Sequence, residues 1–409
     1  MRTWISIALL LTTSLSSAQP RPAPEPGSEL TVSLLTMEHG ANVWELFGHN
    51  AILIEDASTG TNVSYNWGVF SFKQSNFILR FLKGEMLYSM DGYSLEQTIQ
   101  QYQYLNRTLS MQVLDLTPAQ KQWIKEFIAW NARPENINYR YDYYRDNCST
   151  RVRDILDRAL GGQLRAAATA AMTGTSYRWH TLRLMQGDAP LVTGVDIGLG
   201  EPADREISAW EEMFLPVKLR DFARTLQVSD GHGGTRPLVK SERVLFQATR
   251  APAATQPPTL WPPLLVAGLA IAALFVWLAS RARADRRGPR IAAATVVAIW
   301  CAAAGILGLM LTLLWTATDH VFAHRNENLL LFNPLWLVLA VVAPLSFARG
   351  RASRTMRVVA MTAAALAALA FVLHVTTLSS QRNWAAIGLG LPPAIALAWT
   401  TWRGPLREI

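Results

Sequence analysis

Cysteine is nearly absent from this chain: 409 residues hold two, Cys148 and Cys301. Cys301 lies in the apolar run Val296-Val297-Ala298-Ile299-Trp300-Cys301-Ala302 and Cys148 in a polar segment, so no disulfide between them is expected. Charge is scarce too, at 17% of residues against 50% apolar, a balance too apolar for an ordinary soluble protein. No His, Cys or carboxylate cluster has metal-ligand spacing, and no glycine-rich phosphate loop or internal repeat is present. Neither a metal nor another cofactor is therefore expected. The net charge of +8 does not read as a nucleic-acid footprint. Its arginines cluster at 281–290 and 349–357, each time between two apolar runs, which is how charge sets membrane topology.

What is present begins with a secretory signal over residues 1–18: Arg2, an apolar stretch over 4–15, then Ser16-Ser17-Ala18 as a small-residue cleavage site. A Pro-rich spacer follows over 19–28. An α+β domain is predicted over 29–250. Strands are expected over 30–37, 50–55 and 62–67, from aliphatic and β-branched residues bounded by turn formers. Thr117, Pro118 and Gln120 mark a helix start, and a second helix is expected over 149–160, ended by Gly161-Gly162. Further on the pattern predicts an alanine-rich helix over 166–171, a strand and turn over 194–200, and one amphipathic helix over 210–226. A proline-rich stalk, 251–263, leads into an all-α membrane domain over 261–409. Spans are read at 261–280, 293–317, 329–347, 358–379 and 385–402, each near the ~20 residues a bilayer requires. The basic loops are cytoplasmic by the positive-inside rule, which leaves the α+β domain in the periplasm. The signal independently demands the same side.

Cys148 stands in Tyr143-Tyr144-Arg145-Asp146-Asn147-Cys148-Ser149-Thr150-Arg151, immediately before the helix predicted at 149. There the free amides and the positive end of the helix dipole favour a thiolate and offer donors to an oxyanion. A thiol so placed suits covalent acyl transfer if a base is near. His49, at the start of a strand behind Gly48, is the best base; His39, His180 and His232 are weaker, lying in loops or beside bulky neighbours. The group that orients the imidazole is left open between Asn66, on the next strand, and Asp142 or Asp146. Tyr143, Asp146, Asn147 and Arg151 flank the thiol and are expected to bind substrate. Asp319, His320 and Asn326, in a loop on the periplasmic side, are candidates for a lipid-headgroup site, and His374 is an ionisable group inside the fourth span.

With these segments assembled, the chain resembles the Lnb-type apolipoprotein N-acyltransferases. The matching stretches are Phe47-Gly48-His49-Asn50-Ala51, Tyr65-Asn66-Trp67-Gly68-Val69-Phe70, Phe81-Leu82-Lys83-Gly84 with Tyr88, and the run from Tyr139 to Arg151. Gly194-Val195-Asp196, Phe214-Leu215-Pro216, Asp319-His320 and the segment from Asn326 to Pro334 extend the likeness. Trp67 stands where a Phe is expected. The order of His followed by Cys at a helix start is similar to permuted papain-like (NlpC/P60-like) thiol enzymes. The resemblance implies that fold, Cys148 as nucleophile, His49 as base, and support for Asn66 as third member. It implies a multi-pass protein of the bacterial inner membrane. Its partners would be a membrane phospholipid as acyl donor and diacylated lipoproteins as acceptors. Two other readings compete: a membrane-tethered peptidoglycan or peptide hydrolase, and a non-catalytic envelope assembly protein.

Overall fold

The computed structural model describes residues 25–71, 75–282 and 287–402, so the signal sequence expected over 1–18 lies outside the described residues. Seven antiparallel strands form the main sheet: β1 (Leu30–Met37), β2 (His49–Asp56), β3 (Thr61–Phe70), β4 (Leu87–Ser94), β5 (Leu109–Leu114), β6 (Asn138–Arg140) and a late strand, β11 (Val239–Phe246), in the order β11-β5-β1-β2-β3-β4-β6. Two small ribbons, β7 (Met172–Ser176) with β8 (Glu206–Ser208) and β9 (Gln227–Ser229) with β10 (Thr235–Pro237), lie outside it.

Strand parity sorts the side chains of this sheet. Val32, Leu34, Ile52, Ile54 and Trp67 face one side, where they pack with Ile124 and Ile128 of α3 (Pro118–Asn131) and Val152, Ile155 and Leu156 of α4 (Cys148–Ala159). Leu35, Met37, Ala51, Leu53, Leu109 and Met111 face the other, covered by Tyr102 of α2 (Leu95–Tyr104). The short helix α1 (Phe77–Lys83) sits between β3 and β4 and buries none of its residues. The α3 start is as expected: Thr117 accepts from the Gln120 amide at 3.2 Å while the Gln120 side chain accepts from the Thr117 amide at 2.9 Å.

Helices α5 (Gln163–Thr169), α6 (Tyr177–Met185), α7 (Ala189–Gly198), α8 (Ala209–Glu212) and α9 (Pro216–Thr225) complete the domain. Two expectations change here. Of the stretch 194–200, expected as strand and turn, residues 194–198 belong to α7, because Asp188 caps that helix on the Leu191 amide at 2.9 Å with proline in its first turn. The single helix expected over 210–226 is broken in two. Pro216 has no N–H to extend α8 and instead opens α9.

Five helices are long and apolar enough to cross a membrane. They are α10 (Trp261–Ala282), α11 (Arg287–Ala317), α12 (Leu335–Arg349), α13 (Arg354–Val375) and α14 (Trp384–Trp402). α10 and α13 pack on α14, and α11 on α12. Small residues make this close packing available: Ala360, Ala363, Ala367 and Ala370 recur at helical spacing along the buried stripe of α13. Pro392 and Pro393 lie inside α14 without ending it. The expected α+β domain followed by an all-helical membrane region is therefore the observed architecture.

Between α11 and α12 the chain does not turn tightly. Residues 318–334 form a long loop whose two short 3₁₀ turns, Val321–Ala323 and Glu327–Leu330, dock against the α+β domain. Phe322 enters an aromatic cluster with Tyr144 at 4.6 Å, Tyr177 at 5.0 Å and Tyr143 at 6.0 Å between ring centres. Its carbonyl accepts from the Gly200 amide at 2.7 Å.

Candidate active site

β2 delivers His49. The Met37 and His49 positions are paired across β1–β2, and Gly48, just before, has φ +85° with the space for a β-carbon blocked by the Met37 carbonyl at 2.7 Å. Only glycine fits there. Along β2, His49 and Ala51 share a face, and Ala51 is paired with Asn66 of β3. The imidazole consequently reaches Asn66 on its own face: His49 Nε2 lies 3.0 Å from Asn66 Oδ1.

Asn66 fixes the tautomer. Its Nδ2 donates to the Ser64 carbonyl at 2.9 Å, so its Oδ1 is the acceptor, and His49 Nε2 must carry the proton. The lone pair is left on Nδ1. Of the three orienting groups left open by the sequence, Asn66 is the one in contact with His49. Asp142 is spent on the amides of Tyr144 and Arg145, at 2.9 Å each, and Asp146 pairs with Arg151, Asp146 Oδ2 accepting from Nη2 at 2.6 Å.

α4 delivers Cys148 as its first residue. Asn147 caps the helix, its Oδ1 accepting from the Ser149 and Thr150 amides at 2.9 Å each, while its Nδ2 donates to the carbonyls of Tyr143 and Phe214 at 3.0 Å each. The Asn147 side chain, expected among the substrate ligands, thus spends its hydrogen bonds on placing the cysteine. Ser149 ties this helix start to the His49 strand, with its hydroxyl 2.8 Å from Asn50 Oδ1 and 2.7 Å from the Met213 carbonyl.

The β2–β3 pairing stops at Ala51 and Asn66, and β3 bulges between Trp67 and Val69. Cys148 lies beside this opening, near enough to the backbone N–H of Asn50, next to His49, for that amide to favour its thiolate. A β-carbon built on Gly68 would lie 3.6 Å from the Cys148 Cβ and 4.0 Å from the Tyr139 hydroxyl. Tyr139 is 7% exposed, and its hydroxyl has no hydrogen-bond partner among the described residues.

Burial governs the protonation of the pair. It pushes the Cys148 thiol above its ordinary value, against the opposing pull of the Asn50 and Ser149 amides and the Arg107 guanidinium. His49 is brought down to about 4, by burial first and by Arg107 second, although the Asn66 hydrogen bond opposes this. The amides at the helix start act in the expected direction, but desolvation outweighs them. At neutral pH the resting site holds a neutral thiol and a neutral imidazole. Burial also raises Tyr139, so its hydroxyl stays a donor.

The other candidates are dispersed. Asp146 and Arg151 line a separate cavity of about 280 Å³ with Trp67, Asn131, Arg145 and Asp154, and Arg151 lies over the Tyr139 ring at 4.0 Å. Tyr143 stacks on His320, with ring centres 6.5 Å apart. Asp319 pairs with Arg140, beside Tyr139. Asn326 is buried, its Nδ2 donating to the Ile197 and Gly198 carbonyls at 2.9 and 3.0 Å and its Oδ1 accepting from Gln381 Nε2 at 3.1 Å. It fastens the loop to α7 and to the chain before α14. His180 is buried against Glu212 at 2.9 Å, and His374 packs edge-on against Trp384 with ring centres 4.4 Å apart. Among the described residues no three His, Cys, Asp or Glu side chains are grouped to hold a metal ion.

Residues 26–186 match the Lnb N-terminal periplasmic domain, and residues 256–387 match the Lnb transmembrane domain. The chain belongs to the Lnb family. Its thiol, imidazole and Asn66 amide all fall within the first match, and its apolar helices within or across the second. As an Lnb protein it is a multi-pass membrane protein with a periplasmic domain. No curated protein and no solved structure matches the chain. Sequence reasoning missed three parts of this Lnb site: the Asn50–Ser149 tie, the buried Arg107, and the Tyr139 hydroxyl. Tyr139 comes from a three-residue strand, too short to leave a periodic signal.

Proposed function

We propose that this protein is a cysteine-dependent lipoprotein N-acyltransferase of the bacterial inner membrane. It moves a fatty acyl chain from a membrane phospholipid, through a Cys148 thioester, to the α-amine of a diacylglyceryl-cysteine lipoprotein. The observation that carries this reading is the His49–Asn66 contact at 3.0 Å on the strand whose next amide, that of Asn50, favours the Cys148 thiolate. With Nε2 carrying the proton, Nδ1 is the atom that acts as base in this reading.

With both groups neutral at rest, the thiol proton moves to His49 Nδ1 as sulfur attacks the phospholipid ester carbonyl. The Tyr139 hydroxyl and the Cys148 backbone amide, the α4-start amide not taken by the Asn147 cap, donate to the oxyanion. Collapse breaks the ester C–O bond, His49 returns the proton to the departing glycerol oxygen, and a lysophospholipid leaves. The lipoprotein amine then attacks the thioester. His49 takes one of its protons, the C–N bond forms as the C–S bond breaks, and the proton returns to sulfur. In this reading Tyr143, Asp319 and His320, at the junction of the two domains, contact the polar part of a substrate.

A hydrolase would use the same pair, but the ground beside the thiol is aromatic: Tyr88 stacks on Tyr141 at 4.1 Å and meets Phe70 at a tilt, 5.2 Å between ring centres. Such a wall suits acyl chains better than peptidoglycan. The test is expression of wild type, Cys148→Ala and His49→Ala in cells that depend on this gene for N-acylation, with mass spectrometry of lipoprotein N-termini. Triacylated lipoprotein in the Cys148→Ala strain would refute the mechanism, and full function of Cys148→Ser would point to the non-catalytic alternative.

A further inference from the structure

α1 is the least protein-like surface of the α+β domain. Ile78, Leu79, Phe81 and Leu82 are 71%, 52%, 60% and 58% exposed, four large apolar side chains on a single seven-residue helix. Scattered exposed apolar residues need no explanation, whereas a contiguous set does. Arg80 and Lys83 are interleaved with them, the pattern of a helix that lies at a bilayer surface with cations near the phosphates.

The position of α1 says what covers it. α11 ends at Ala317, and two residues later the Asp319 amide donates to the Lys83 carbonyl at 2.8 Å. His320 Nε2 lies 3.3 Å from the Phe81 carbonyl, and Asp319 pairs with Arg140. Gly84 closes the helix with φ +74°, and a β-carbon there would come within 3.1 Å of the His320 ring. These contacts pin α1 to the periplasmic end of a membrane span. Met310, Leu313 and Trp315, on the last turns of that span, are themselves exposed. The apolar face of α1 thus continues the lipid-facing surface of the bundle.

From α1 a row of aromatic rings leads toward the thiol. Phe81 stacks on Phe77 at 6.4 Å, Phe77 meets Phe70 at 5.7 Å, Phe70 meets Tyr88 at 5.2 Å, and Tyr88 stacks on Tyr141 at 4.1 Å. Tyr141 is within electrostatic reach of Cys148, and Tyr88 is paired with Tyr139 across β4–β6.

We infer that α1 is seated in the periplasmic leaflet, at the boundary of headgroups and acyl chains, and that phospholipid leaves the bilayer over α1 along this row to reach Cys148. The second half rests on the acyltransferase reading; the first does not. Both are tested with the full-length protein in nanodiscs of phosphatidylethanolamine and phosphatidylglycerol. For the first, Ile78→Cys is made in a Cys148→Ala, Cys301→Ala background and labelled with bimane. Nitroxide placed near the headgroup end of the lipid chains is expected to quench the label, and aqueous iodide is expected not to. Quenching by iodide alone places the helix in water and overturns the proposal. Protection from both quenchers assigns the face to a protein and overturns it equally.

For the second half, Ile78→Glu and Leu82→Glu are combined in the wild-type background. Both side chains are exposed, so the fold is retained. Acylation of Cys148 by phospholipid is expected to fall about tenfold or more, as binding energy for the lipid is lost, while acylation by a short-chain water-soluble ester is unchanged. Equal loss with both donors, or loss with neither, removes α1 from the lipid route. Lipid quenching in a protein that acylates nothing leaves α1 in the membrane and refutes the acyltransferase reading instead.

Discussion

The surroundings of Cys148 and those of Cys301 are built on opposite principles. Around Cys148 the side chains are held by directed hydrogen bonds: the Asn147 cap, the Ser149 contact with Asn50, and Asn66 pinned between His49 and Ser64. Around Cys301, fully buried in α11, packing comes from side chains such as Val297, Ala304, Leu339 and Ala343. Directed bonds specify an atom's position and proton; small apolar contacts specify only that helices approach. The periplasmic domain is therefore where chemistry can be tuned, and the bundle is where it can be placed. Between them the loop of residues 318–334 uses both devices, with Phe322 packed among rings and Asn326 held by hydrogen bonds.

The largest test of this contrast swaps one cysteine at a time. Cys148→Ala is expected to lower N-acylation by ~10⁴-fold, as loss of a nucleophile does, whereas Cys301→Ala leaves the rate within about twofold. Lipoprotein mass spectrometry and single-turnover acylation read both. His49→Ala should cost ~10²- to 10⁴-fold through loss of the base. Asn66→Ala is expected to cost less, about tenfold to a hundredfold, because the imidazole remains but its tautomer is no longer fixed. Equal losses for the two would show that Asn66 does more than orient.

The third test is pH. With His49 at about 4 in the folded protein, acylation should keep its rate down to weakly acidic pH and fall with a midpoint near 4, not near the ordinary value of 6.5. The same shift has a sign for stability. A depressed folded value means the unfolded chain binds the proton first, so stability present above pH 6.5 is lost as pH falls toward 4. Melting temperature of His49→Ala against wild type over that window reads the difference. The smallest effect concerns the latch. Asn326→Ala takes the side-chain donor from the Gly198 carbonyl and one of two from the Ile197 carbonyl, which keeps Asn328, and should cost about 1–3 kcal/mol, with Cys148 reactivity toward a soluble ester unchanged.

Much of this was legible in the residues. β1 falls where the aliphatic and β-branched residues of 30–37 place it, β2 extends one residue beyond its predicted stretch at each end, and the five spans follow the apolar runs. Thr117, Pro118 and Gln120 announced α3 because a capping box is local chemistry. His49 and Cys148 were legible as types in a setting, yet their meeting depends on register between strands, which no single segment encodes. β5 and β11 escaped for that reason: β5 is central and buried, and β11 joins it from far along the chain. α1 escaped because its apolar residues have no protein face to match, and a pattern of that kind reads as neither core nor loop.

Phe322 also has a bearing on the order in which the molecule is made. The rings that receive it, Tyr143, Tyr144 and Tyr177, are synthesised and exported long before the hairpin between the second and third spans emerges. Until then their pocket is open to water. The exported domain is thus finished last by a piece of the membrane part, and a secreted fragment ending before Trp261 would carry that unfilled aromatic pocket as a point of aggregation.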